Sequence, residues 1–194
     1  MNLFLIFISA FLINNVVFMR FLGLCPLVGV SNKMSLATVM SMAVMFVMTF
    51  TSWITWTIYK FILLPFNLVY LKTVTFMLVI ATLVQLIEMG FKRFVPTIYK
   101  ALGIYLPLIT TNCIIFGAIL IIIDFNYSFL QATIFAIGTA LGFGLAMILL
   151  VGIRERLEFA NLPETMKEAP IIFITVSLVA LAFLGFRGFI SFSF

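Results

Sequence analysis

Cys25 and Cys113 are the only two thiols in a chain of 194 residues that contains no histidine. Cys25 lies in Gly23-Leu24-Cys25-Pro26, and Cys113 ends the run Leu106-Pro107-Leu108-Ile109-Thr110-Thr111-Asn112-Cys113. Proline lacks an N–H and disfavours helical geometry at the residue before it, while glycine permits unusual backbone angles. The first motif therefore predicts either a helix break at Cys25 or a plain helix end leading into a loop. In the second, Pro107 frees a carbonyl one turn earlier. Thr110, Thr111 and Asn112 can satisfy freed backbone groups, or they can join neighbouring helices by hydrogen bonds.

Thiolates ligate iron, and a [2Fe-2S] cluster takes four ligands, usually all cysteine. Two thiols without histidine fill half of such a set, so a second chain would have to supply the rest. The alternative for each cysteine is a small buried hydrophobe, and a disulfide is disfavoured in a bilayer-embedded core. The lack of histidine also removes imidazole metal ligands, imidazole acid–base catalysis and Ser-His-Asp or Cys-His machinery within this chain.

Asn14 and Asn15 are polar groups in an apolar segment, one to two turns before Arg20. They suit either function or hydrogen bonding between helices. Glu88 stands in another apolar segment. With Gln85 it could line an ion path, and with Lys92 at i+4 it could form an interfacial ion pair. Gly138, Gly142 and Gly144 fit close helix packing. The charged run Gly152-Ile153-Arg154-Glu155-Arg156-Leu157-Glu158 could dock a soluble partner or simply be a solvated helix end.

These residues need a membrane to position them. The chain is 65% hydrophobic and 9% charged, against roughly 45–50% and about 25% for a soluble domain. Residues 2–19, 34–59, 101–123, 125–153 and 169–186 carry no Asp, Glu, Lys or Arg, and each approaches or exceeds the roughly 17–25 residues that cross the hydrocarbon. A further apolar stretch at about 68–90 has Lys72 and Glu88 near its ends, where long side chains snorkel. The expectation is an all-α membrane protein, one integral domain over 1–194, with transmembrane helices at about 2–22, 36–59, 69–90, 100–123, 129–152 and 170–190. The N-terminal segment has no basic region and no clear cleavage site, so it reads as a retained helix.

Lys33, Lys92, Arg93, Lys100, Arg154, Arg156 and Lys167 would all lie inside if the N-terminus is outside, with Arg20 near the inner end of helix 1. Lys60, Lys72 and Arg187 would lie outside. Both termini are thus expected on the outer side. The net charge of +5 follows this membrane distribution, with no basic helix that would read nucleic acid. Leu22-Gly23-Leu24-Cys25-Pro26-Leu27 is faintly similar to Leu102-Gly103-Ile104-Tyr105-Leu106-Pro107-Leu108. This suggests two inverted three-helix repeats, about 1–95 and 96–194, with helices 1 and 4 broken.

Asn14-Asn15, Phe21-Leu22-Gly23-Leu24-Cys25-Pro26 and Gly29-Val30-Ser31 resemble the A-type membrane component of the Rnf complex. So do Leu102-Gly103-Ile104, the run from Leu106 to Cys113, and Gly152-Ile153-Arg154-Glu155-Arg156-Leu157. The resemblance covers essentially the whole chain. The related E-type component of the sodium-pumping NADH:quinone oxidoreductase, Nqr, usually has Glu-Asn in place of Asn14-Asn15 and lacks proline after the first cysteine. Asn14 and Pro26 therefore favour Rnf.

The resemblance implies a membrane subunit, not catalytic alone, of an ion-translocating ferredoxin:NAD oxidoreductase in a bacterial or archaeal cytoplasmic membrane. It implies a homologous E-type subunit in inverted topology and an intramembrane [2Fe-2S] cluster held by two cysteines from each. Cys25 and Cys113 match those ligand positions. Asn14, Asn15, Thr111 and Asn112 would stand beside the cluster or on the path of Na+ or H+. Flavins and further iron–sulfur clusters belong to the partner subunits RnfB, RnfC, RnfD and RnfG. The rival readings are a small-solute secondary transporter, whose broken helices and inverted repeats would look alike, and a purely structural scaffold.

Overall fold

The computed structural model describes residues 3–30, 34–65, 69–94, 108–109, 111–158 and 169–187. These residues fold into eight α-helices, with no strand among them. Two continuous helical stretches, Met34–Leu63 and Phe129–Leu157, are long and apolar enough to cross a membrane by themselves. Shorter apolar helices accompany them.

Of the described segments, residues 3–30 are the most interrupted. Helix α1 (Leu3–Ile8) continues through a π-turn at Ser9–Ile13. The chain leaves helical geometry at Asn14 (φ −109°, ψ 45°) and Asn15 (φ −59°, ψ 111°). A short helix α2 (Val16–Arg20) follows, and then α3 (Leu24–Val30). Between these two, Phe21 and Gly23 take positive φ, 53° and 84°. A single helix over 2–22 breaking at Cys25 is therefore not what forms. The breaks fall at Asn14–Asn15 and Phe21–Gly23. Pro26 lies in the first turn of α3, where its missing N–H costs little.

Arg20 is also displaced from its expected place. A straight helix would separate Ile6 and Arg20 by about 21 Å at 1.5 Å per residue. Instead both line one cavity, together with Ser9, Asn14, Ile121 and Tyr127. Helix α2 thus returns toward the level at which α1 enters, and Arg20 lies at that end of the bundle rather than the opposite one.

Helix α4 (Met34–Ile58, extended by a π-turn to Leu63) and helix α7 (Phe129–Glu158) form the most extensive helix pair. Each buries a stripe with helical spacing: Ala37, Met40, Val44, Val47, Thr51 and Thr55 on α4, and Ala132, Ala136, Ala140, Phe143 and Met147 on α7. The three glycines of α7 act as the sequence suggested. A Cβ on Gly138 would lie 3.1 Å from Ala10 Cβ, and one on Gly144 3.4 Å from Ser41 Cβ. Met42, Phe46, Ile148 and Leu149 face outward and remain exposed, as suits lipid contact.

Helices α5 (Lys72–Phe94), α6 (Cys113–Asp124) and α8 (Ala169–Arg187) complete the bundle. At one end Lys72 Nζ pairs with Asp124 Oδ1 at 2.6 Å, Trp56 Nε1 donates to the Tyr127 carbonyl at 3.0 Å, and Lys60 stands 4.7 Å from the Trp56 ring. This mix of charge and indole is typical of a membrane–water interface. At the other end α7 runs on through Arg154, Glu155 and Arg156 as its final turns, which is the helix-end reading of that charged run. The side chains of Glu88 and Lys92 lie outside the described residues, as do Pro107, Thr110 and the expected helix segment 100–107.

Candidate functional site around Cys25 and Cys113

The two cysteine segments, ninety residues apart, meet through one hydrogen bond. The backbone N–H of Gly23 donates to Cys113 Sγ at 2.9 Å. Gly23 is buried at φ +84°. A Cβ there would lie 3.3 Å from the Phe143 ring and 3.4 Å from Ile114 Cβ. Its conformation and its close packing both require glycine. Next to it, a Cβ on Gly117 would lie 2.6 Å from Leu22 Cδ1, so α6 and the Leu22–Gly23 turn approach closely.

Cys113 is the first residue of α6 and partly buried; Cys25 is the second residue of α3 and exposed on this chain. Both are free thiols. A first helical turn has N–H groups without helical partners, which favours electron-rich ligands there.

Asn112 starts α6. Its backbone is extended (φ −68°, ψ 111°), and its Oδ1 accepts from the Ile114 N–H at 3.2 Å. Asn15 does the same for α2, accepting from the Val17 N–H at 3.1 Å. Both side chains are buried, at 1% and 2% exposure for Asn15 and Asn112. Asn15 Nδ2 also donates to the Gly142 carbonyl at 3.0 Å, tying the first break to the middle of α7. Asn112 Nδ2 is buried with no acceptor among the described residues. Thus Asn15 and Asn112 define the breaks, as N-caps. Asn14 lines the cavity with Arg20, and Thr111 is an exposed turn residue.

The cavity measures about 40 Å³. One of its polar walls is Tyr127, 7% exposed, whose hydroxyl has no hydrogen-bond partner among the described residues. Burial pushes the Tyr127 phenol above its ordinary 10.0. Sequence reasoning missed three participants: Gly23 as a donor to sulfur, Gly142 as the acceptor for Asn15, and Tyr127 as a cavity wall. The position of Gly23 two residues before Cys25 was a usable signal for the first. Nothing in the sequence pointed to Tyr127.

Backbone N–H groups donating to cysteine sulfur are a recurrent means of stabilising and tuning iron–thiolate centres. The Gly23–Cys113 bond therefore fits a [2Fe-2S] ligand site. Among the described residues no group of three or more His, Cys, Asp or Glu could hold a metal; with two cysteines and no histidine in the whole sequence, an all-thiolate four-ligand iron site here would need ligands from another chain.

The sequence profile described as "Rnf-Nqr subunit, membrane protein" matches residues 3–190. A protein of Syntrophotalea carbinolica, named as the A component of an "Ion-translocating oxidoreductase complex", is 50% identical over 189 residues, covering 97% of this chain and 98% of the relative. The corresponding component of the "Na(+)-translocating ferredoxin:NAD(+) oxidoreductase complex" of Acetobacterium woodii is 50% identical over 188 residues, 97% of this chain and 98% of its own. Its counterpart in Pectobacterium atrosepticum is 47% identical, covering 97% of both chains. With a family profile spanning nearly all of it and relatives matched end to end, the chain belongs to the Rnf-Nqr family of membrane subunits.

Proposed function

We propose that this chain is the A-type membrane subunit of a Rnf-like ion-translocating oxidoreductase complex, in which Cys25 and Cys113 hold half of an intramembrane [2Fe-2S] cluster. The names of its relatives support the complex. The observation that carries the cofactor assignment is the Gly23 N–H bond to Cys113 Sγ, which brings both cysteine loops to one place and gives one sulfur a backbone donor. Bound there, the cluster supplies a one-electron carrier at membrane depth.

The chain's own contribution is positional. Asn15 and Asn112 start helices where apolar sequence alone would run on, and Gly23 orients the Cys113 sulfur. The matching caps support a pseudo-two-fold relation between residues 1–95 and 96–194 in a six-span fold. The exposed Cys25 is suited to face a homologous E-type subunit of inverted topology, which would supply the other two cysteines. Other Rnf subunits would carry the flavins and exchange electrons with ferredoxin and NAD. Adding charge to a low-dielectric interior is unfavourable. A cation approaching through the polar breaks would offset it, which gives electron transfer a physical link to Na+ or H+ movement. In this reading the end bearing Lys72, Asp124 and Tyr127, and both termini, face outward from the bacterial or archaeal cytoplasmic membrane.

The test is low-temperature electron paramagnetic resonance of the purified complex with Cys25→Ser and Cys113→Ser. Loss of a [2Fe-2S] signal and of two irons, with assembly intact, is expected. Unchanged iron content and signal in both variants would overturn the assignment and favour a transporter or a scaffold.

A further inference from the structure

Arg20 is a permanent charge at the end of α2, exposed on one side and lining a cavity on the other. It makes no ion pair among the described residues, and the Asp124 carboxylate one turn beyond Ile121 is already held by Lys72 at 2.6 Å. The polar walls of its cavity are neutral: the Ser9 hydroxyl, the Asn14 amide and the Tyr127 phenol. Room of about 40 Å³ admits a water molecule and little more. Neutral groups can solvate a guanidinium, but they leave its charge uncancelled. Arginine keeps that charge at every physiological pH.

The chain delivers this charge close to the thiols. Arg20 is the last residue of α2, and Gly23, three residues on, donates to Cys113 Sγ. Three Cα–Cα steps place their Cα atoms at most about 11 Å apart. The cavity wall at Ile121 lies eight residues along α6 from Cys113, about 12 Å at 1.5 Å per residue. The positive φ of Phe21 turns the chain sharply between Arg20 and Gly23, so the side chain and the sulfur donor are fixed by the same turn.

We propose that Arg20 is a positioned, permanent positive charge that raises the reduction potential of the cluster held by Cys25 and Cys113. The inference rests on the function proposed above. An electron added near the thiols increases negative charge, and a cation on the adjoining turn favours that state. At an effective dielectric constant of about 20, a unit charge about 12 Å away shifts a one-electron equilibrium roughly tenfold, and because Arg20 is exposed, solvent screening makes this the upper bound. That corresponds to about 59 mV. Arg20 touches no reacting atom, so its role is electrostatic positioning.

The experiment is a redox titration of the assembled complex followed by electron paramagnetic resonance. Arg20→Gln should lower the cluster's midpoint potential by a shift corresponding to up to about tenfold in the one-electron equilibrium, about 59 mV, with the signal's intensity retained. Arg20→Lys should keep most of the wild-type value. Asn14→Asp, which puts a carboxylate into the same cavity, should lower the potential in the same direction, and it serves if Arg20→Gln does not assemble. Potentials unchanged in every assembled neutralising variant would overturn the proposal. If instead the signal survives Cys25→Ser and Cys113→Ser, the cluster assignment itself fails, a result distinct from an unmoved potential.

Discussion

Asn15 and Asn112 cap their helices with nearly the same backbone geometry, yet among the described residues only the first has an acceptor for its amide nitrogen. Asn15 Nδ2 donates to the Gly142 carbonyl at 3.0 Å, whereas Asn112 Nδ2 is buried without a partner among the described residues. The Asn112 amide cannot simply flip to repair this, because its oxygen is engaged by the Ile114 N–H.

That difference predicts an order of damage. Asn15→Ala removes a cap, worth about 1 kcal/mol, and a long-range hydrogen bond worth about another 1 kcal/mol. Asn112→Ala removes only the cap. Thermal unfolding of the purified protein should rank Asn15→Ala below Asn112→Ala. If the gap closes in the assembled complex, a neighbouring chain supplies the missing acceptor.

Gly142 and Gly117 should respond differently to alanine. A Cβ on Gly142 would lie 3.1 Å from the Phe11 carbonyl oxygen and 3.2 Å from Asn15 Nδ2. Backbone cannot yield, so Gly142→Ala should push α1 away and lower the yield of assembled complex severalfold. At Gly117 the clash is with the end of a leucine side chain, Leu22 Cδ1 at 2.6 Å, which can rotate. Gly117→Ala should assemble at close to wild-type yield, as measured by gel filtration.

Gly23→Ala combines a positive-φ penalty of roughly 1–2 kcal/mol with contact against the Phe143 ring at 3.3 Å. The N–H donor to Cys113 Sγ should be displaced. The expected outcome is a lower melting temperature together with altered g-values of the cluster signal. A spectrum identical to wild type would mean that this donor does not report on the metal.

Tyr127 predicts a pH effect confined to the alkaline side. Its folded pKa is raised by burial above 10.0. A raised value means the favourable contribution is fully present below the unfolded pKa and is lost as pH rises through the folded one. Tyr127→Phe should therefore match wild type in melting temperature up to about pH 9, consistent with the unpartnered hydroxyl. Above about pH 10 it should lose less stability than wild type. Thermal scans across pH 7–11 check this.

Orientation is testable by adding one cysteine at a time and comparing its labelling with that of the unaltered chain, which carries Cys25 and Cys113. Ser128→Cys, exposed beside Tyr127, should react with a membrane-impermeant maleimide on intact cells. Glu155→Cys, exposed near the end of α7, should react only after permeabilisation. The reverse pattern would invert the proposed topology.

Much of this arrangement could be read in the residues. The uncharged runs gave α4 and α7, and the small residues at 138, 142 and 144 marked the packing face of α7. Asn15 and Asn112 stood out because polar side chains in apolar sequence need a reason. The fold of residues 3–23 was hidden for a physical cause. Nothing between Leu3 and Leu22 is proline or glycine, so local preference runs on as helix, and the break comes from Asn15 reaching a carbonyl far along the chain. The place of Arg20 was lost for the same cause, since counting charges along a straight helix assigns it to the wrong end. Pro26 misled in the other direction. It signals a helix start rather than an interruption at Cys25.

The bond between Asn15 and Gly142 joins residues 127 apart in sequence. At roughly 5–20 residues per second, a ribosome takes about 6 to 25 seconds to cover that interval. Through all of it the amino-terminal segment has emerged without the carbonyl that anchors its reversal. It must be held at the insertion machinery or lie along the bilayer surface until α7 arrives. The beginning of this polypeptide is therefore among the last parts to reach its final place, and its maturation depends on synthesis of the carboxyl-terminal half.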